Sequence, residues 1–234
     1  DAYRHIIELE PSGPGGYLGA AEVLLKEHRL GEARTRALEA TVISLDEDAR
    51  PRGAAHALVA LIALAQRDVE GARKQADLAQ QADPALPMAA FVDARILYDQ
   101  GRFEDALPAF EQAVAAAGKP GATPIPDLHF YAGDTLMRLN RHSDAEAEFA
   151  DELRLFPHDV RASAALATLY HAGGQAAAAD TAITDMLHAV PTPESYATAA
   201  RLLKSFGKTR QAETIRAEAR RTFPAGRARV TTGH

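Results

Sequence analysis

Apolar side chains recur every three to four residues, twice over, in PDLHFYAGDTLMRLNRHSDAEAEFADELRLFPHD, residues 126–159. That period predicts two short amphipathic helices. Asn140 lies between them, where a tight turn needs a left-handed residue. Pro157 cannot continue a helix and ends the second one. Gly133 and Ala145 are the small residues at which two such helices would cross, with bulky Leu136 and Phe149 filling the space beside them.

The same arrangement recurs along the chain. The first small position reads Ala21, Ala60, Ala94, Gly133, Ala167 and Ala200, and the second reads Ala33, Ala72, Ala106, Ala145, Ala179 and Ala212. Pro84, Pro157, Pro191 and Pro224 close second helices, and Gly101, Asn140, Gly174 and Gly207 stand at the turns. On these residues the chain resembles the tetratricopeptide repeat family, whose unit is 34 residues long. Six units align at 14–47, 53–86, 87–120, 126–159, 160–192 and 193–226. Residues 1–13 match the second helix of a preceding, truncated repeat, as if the chain were cut from something longer; 227–234 form a polar tail. The resemblance implies an all-α fold, a right-handed superhelical solenoid of antiparallel helix pairs.

The departures are specific. The large aromatic early in the first helix survives as Tyr17 and Tyr196, with His56 and His129 elsewhere, where packing explains them. Leu45 and Gly118 stand where a closing proline belongs. The insertions Asp48–Arg52 and Gly121–Ile125 are expected as longer loops, the second because KPGATPIP opposes a helix. Pro108 falls in a second helix and is expected in its first turn, where no N–H is required.

Composition fits a thin, closely packed core. Hydrophobic residues make up 47% and aromatics only 6%, with no Trp, so Ala and Leu must fill the interior. Absence of Cys removes disulfides, cysteine nucleophiles and zinc-thiolate sites. The preference for Arg over Lys with high Ala suggests a bacterial source; the compartment, cytoplasmic or exported, is not specified. Net charge is −6, yet residues 193–234 carry nine Lys/Arg against three Asp/Glu. A terminal run of that sign suits a solvated outer face, with Arg210, Arg216, Arg220 and Arg221 on the last helix, or else an acidic or anionic partner.

Enzymatic signatures are missing: the chain has no GxSxG, Walker loop, HExxH or dinucleotide fingerprint after a strand. No catalytic residue, metal site or cofactor is expected, and no nucleic acid partner.

The family lines its concave wall with the first helix of each repeat, at the second, fifth, ninth, twelfth and thirteenth places. The resemblance therefore implies a partner-binding surface of Phe91, Arg95 and Tyr98, then Phe130, Asp134, Met137 and Arg138, continued by Arg161, His171, Arg201 and Lys204, with Leu61, Leu64 and Thr168 beside them. Aromatics with Arg are the usual anchors of protein interfaces. The Lys/Asn clamp of heat-shock co-chaperones has no match in three successive repeats. The expected function is a non-catalytic scaffold holding a peptide or partner protein in its groove. Two alternatives stand beside it. One is an accessory region C-terminal to a bacterial enzyme, since the layout resembles arrays behind sulfatase-like hydrolase domains. The other is self-association through repeat ends.

Overall fold

The computed structural model describes residues 2–44, 49–122 and 124–224. Among these residues there are thirteen α-helices and no strand. They are α1 (Ala2–Leu9), α2 (Pro14–Lys26), α3 (Leu30–Ile43), α4 (Ala49–Ala65), α5 (Val69–Ala82), α6 (Met88–Asp99), α7 (Phe103–Ala117), α8 (Leu128–Arg138), α9 (His142–Leu155), α10 (Val160–Ala172), α11 (Ala176–Ala189), α12 (Pro193–Ser205) and α13 (Thr209–Thr222). The chain divides into two units, Asp1–Asn140 and Arg141–His234. In the first, α2/α3, α4/α5 and α6/α7 are hairpins, flanked by α1 on α2 and α8 on α7. In the second, α9 packs on α10, and α10/α11 and α12/α13 are hairpins.

Both turn chemistry and helix termination follow from backbone sterics. Gly101, Asn140, Gly174 and Gly207 have φ of 73°, 60°, 73° and 76°. His28 and Arg67, at φ 57° and 62°, take the same role in the first two hairpins, which the sequence pattern did not reveal. Each such residue lets the next N–H reach back to a carbonyl of the helix, as Asp68 does to Ala63 and Arg102 to Leu97, at 2.9 and 3.0 Å. Before Pro84, Pro157, Pro191 and Pro224 the capping residues Asp83, Phe156, Val190 and Phe223 have φ between −134° and −121°. A residue preceding proline is pushed out of the helical region in this way. Where the proline is missing, Ser44 and Gly118 keep φ of −80° and −76°.

Packing rests on the small residues. Each of the eleven alanines at the two small positions is at most 1% exposed, and Gly133 is buried too. In the first unit Ala60, Ala72, Ala94 and Ala106 share one core with Phe91, Phe110, Met88 and Ile125. In the second, Ala167 and Ala212 share theirs with Ile183, Met186 and Leu203.

Two expectations need correction. Residues 49–52 are helix, not loop: α4 begins at Ala49, and Pro51 lies in its first turn, where the missing N–H has no acceptor to lose. Gly53 then meets α5 so closely that a Cβ there would lie 2.6 Å from that of Asp83. Pro108 is the sixth residue of α7, in the second turn rather than the first, so the Glu104 carbonyl loses its helical donor. By contrast, residues 121, 122, 124 and 125 lie outside any helix, and the tail and Leu45 lie outside the described residues.

Two stability outcomes are expected. Ala72→Leu should overpack α4 against α5 and lower stability by about 1–3 kcal/mol, read by thermal melting. Arg67→Gly should raise the melting temperature by relieving a left-handed non-glycine residue, a gain of about 0.5–1 kcal/mol after the unfolded-chain cost of glycine. A lower melting temperature for Arg67→Gly would contradict the turn geometry.

Candidate functional site

Helix α6 places Phe91, Arg95 and Tyr98 at i, i+4 and i+7, and α8 places Phe130, Asp134, Met137 and Arg138 at comparable spacing. The two helices pack in the same unit. Their facing side chains meet in one cluster of rings and guanidiniums.

Tyr98 is its centre. Its hydroxyl donates to Asp134 Oδ2 at 2.5 Å, and Arg138 Nε donates to that same oxygen at 2.7 Å. Arg138 Nη2 closes the triangle onto the Tyr98 hydroxyl at 3.5 Å. The Tyr98 ring meets Tyr131 edge-on at 5.1 Å and Phe103 at 5.5 Å. Tyr131 in turn meets Phe130 at 5.1 Å. Arg95 lies over the Tyr131 ring at 3.5 Å, and Arg138 over Phe103 at 4.8 Å. Cations so placed gain roughly 0.5–2 kcal/mol each from the ring faces. Arg95 has little else: its Nε is buried without a hydrogen-bond partner, and it reaches Asp99 only at 3.4 Å.

These contacts set the electrostatics. Burial, and then the Asp134 carboxylate that prefers a proton on its partner, push the Tyr98 phenol up to about 12. The Arg138 guanidinium is pushed up as well, chiefly by its hydrogen bond to Asp134. Of the two carboxylates here, Asp134 pairs with Arg138 at 2.7 Å and Asp99 lies 3.4 Å from Arg95.

The expected surface is only partly realised. Phe91 is a correction: at 0% exposure it packs against Phe110, 6.3 Å between centroids, and no partner can reach it. Arg95, Tyr98, Phe130, Asp134 and Met137 are half-buried, and Arg138 is exposed. Arg161, His171, Arg201 and Lys204 belong to the second unit. There Arg161 pairs with Asp159 at 3.5 Å, His171 stacks on Phe206 at 4.0 Å, and Arg201 donates to the Thr198 hydroxyl at 3.0 Å. Lys204 is exposed, and so is Arg201. Tyr131 and Phe103 were missed, although they supply the two faces on which the guanidiniums lie. Tyr131 follows Phe130 directly, and Phe103 opens α7 just after the Gly101 turn; neither occupies a wall position of the repeat.

The helical-repeat class is plain from this architecture: hairpins of similar length stacked through small residues. The tetratricopeptide repeat family model matches residues 92–157 and 130–191. Residues 92–191 are tetratricopeptide repeats, and the chain as a whole has the fold of that family's solved structures. Among solved structures it is similar to PilF of Pseudomonas aeruginosa, at 17% identity and TM-score 0.56, over 91% of this chain and 93% of that one. It is similar to PilW, a type IV pilus biogenesis factor, at 16% identity and TM-score 0.58, over 91% and 94%. A further likeness is to the Cut9–Hcn1 hetero-tetramer of the APC/C, at 13% identity and TM-score 0.55, over 87% of this chain and 45% of that one. At these identities they share its fold. The comparison with curated proteins found no match. No described helix is long and apolar enough to cross a membrane.

The Tyr98 shift has a definite sign. A phenol held above its unfolded value of about 10 contributes stability that is full below pH 10 and is lost between pH 10 and about 12. Tyr170 and Tyr196 are pushed up too, the first chiefly by burial and the second chiefly by its hydrogen bond to Glu218. Spectrophotometric titration should show Tyr98 ionising last, near pH 12, and Tyr98→Phe should remove that last step and flatten the stability loss over this window. A step near pH 12 that survives the substitution would assign it elsewhere.

Proposed function

We propose that this protein is a non-catalytic scaffold that holds a segment of a partner protein against the first-helix faces of α6 and α8. The observation that supports the reading is the Tyr98–Asp134–Arg138 triangle. Both of its bonds to Asp134 use Oδ2, and Oδ1 takes no bond among the described residues. Arg138 keeps N–H groups free at a side chain that is 48% exposed. One acceptor and one donor side by side on a pre-set surface suit the N–H and C=O of an extended peptide. Phe130 and Met137, half-buried next to them, offer apolar contact for its side chains. Rings already locked edge-to-face lose little entropy on binding, which favours affinity.

The guanidiniums are less suited to the carboxylates of a partner than the bare sequence suggests. Arg138 is neutralised by Asp134 and Arg95 lies near Asp99, so a ligand carboxylate would compete with one already in place. The Cut9–Hcn1 hetero-tetramer supports a partner-holding role for the fold. Accessory attachment to a larger enzyme remains compatible with this reading, because such a region would use the same face.

The test is panning a random dodecapeptide phage library on the whole chain, then measuring enriched peptides by fluorescence anisotropy. Truncating an anchor costs about 2 kcal/mol or more, roughly thirtyfold in affinity. Arg138→Ala and Met137→Ala should each weaken binding at least tenfold while Lys74→Ala, exposed on α5, leaves it unchanged. Tyr98→Ala is the wrong probe, because it removes contacts to Phe103, Phe110 and Tyr131 and should lower stability. Peptides that bind Arg138→Ala and Met137→Ala as tightly as wild type would refute the assignment of this face.

A further inference from the structure

Ten arginines among the described residues have a carboxylate to answer them. Arg29 pairs with Glu32, Arg36 with Glu39, Arg102 with Asp105, Arg141 with Asp144 and Arg154 with Asp151. Helix α13 breaks the habit. Arg210, Arg216, Arg220 and Arg221 are all exposed, and none makes an ion pair among the described residues. The helix's own carboxylates do not neutralise them. Glu218 accepts instead from the Tyr196 hydroxyl at 3.0 Å, and Glu213 stands three residues from both Arg210 and Arg216 without pairing to either.

Helix stability does not account for the set. Arg220 and Arg221 lie in the last turn, where a cation complements the helix dipole. Arg210 lies in the first turn, where it opposes the dipole, and Arg216 is too far from either end to gain from it. At 100° per residue the four fall within about 140° of arc, along about 16 Å of helix. That length matches about five residues of an extended chain.

We propose that the outer face of α13 is a docking surface for an acidic protein segment, a run of Asp and Glu side chains laid along Arg210, Arg216, Arg220 and Arg221. The guanidinium fork takes a carboxylate through two parallel hydrogen bonds, and these forks are unoccupied. Other anionic partners fit less well. Large apolar side chains are not exposed on α13, so it has nothing to bury in a bilayer. The ring beside it, Phe223, is engaged edge-on with Tyr196 at 5.6 Å and is not free to stack a base. A second copy of the chain is told apart by sedimentation: self-association that is lost when these arginines are replaced by glutamine would overturn the proposal. This surface belongs to the second unit and does not depend on the α6/α8 reading.

The experiment is fluorescence anisotropy of a labelled decaglutamate peptide titrated with the whole chain at 50 and 200 mM salt. Saturable binding that weakens at least tenfold at the higher salt is expected. Arg216→Gln/Arg220→Gln/Arg221→Gln should lose at least tenfold in affinity with an unchanged circular dichroism melt. If that variant melts early, Arg216→Gln alone should still lose threefold or more. Arg138→Ala should bind decaglutamate as wild type does, so failure of the groove reading would leave this result standing. No binding at 50 mM salt, or binding indifferent to the glutamines, overturns the proposal. So does tighter binding of a DNA duplex or of phosphatidylglycerol vesicles through the same arginines.

Discussion

The close approach of helix backbones at small side chains governs this structure. Eleven alanines and one glycine occupy the twelve crossing positions, all of them buried. A methyl group at a crossing lets neighbouring helices pack at near-crystalline density, and any larger group would force them apart. A chain with 6% aromatics can therefore still bury a core in each unit, because little volume has to be filled. The few large residues, Phe91, Phe110 and Phe149 among them, then fill the gaps beside the crossings and are fully buried.

Local chemistry, more than packing, decides where each helix stops, and that is why so much of the fold is readable. Proline forces the preceding residue to extend, and glycine or asparagine takes the left-handed turn, so both leave a mark in the sequence. His28 and Arg67 leave none: a side chain can adopt φ near 60° at a cost, and the surrounding hairpin supplies the compensation. Pro51 misleads in the opposite way. It lies in an insertion between repeats that is expected as a loop, yet in the first turn of α4 it costs the helix no hydrogen bond.

The site was legible as a set of faces but not as depths. The same repeat position is buried at Phe91 on α6, half-buried at Phe130 on α8 and exposed at Ala197 on α12. Neighbours explain the gradient within each unit: α6 has α4 and α8 beside it, whereas α12 packs beside α10. Periodicity gives the direction in which a side chain leaves its helix. How much cover it meets depends on helices remote in sequence, and on rings such as Tyr131 and Phe103 that lie off the repeat's wall positions. The Arg–Asp pairings follow the same logic, since their four-residue spacing is visible but the shared oxygen of Asp134 is not.

Charge separates the two candidate surfaces more sharply than shape does. Exposed ion pairs stabilise by about 1 kcal/mol at most, so the pairing of Arg138 with Asp134 adds little to the fold. Its main effect is to pin a guanidinium over Phe103 and cancel its field, leaving recognition there to hydrogen bonds and apolar contact. A partner of that face would bind with weak dependence on salt. On α13 the guanidiniums make no ion pair among the described residues and their fields add, so selection by the proposed surface would be by charge and would fade with screening. On the two proposals one chain carries a surface that would read a peptide's shape and another that would read its acidity, each on hairpins packed through the same small residues.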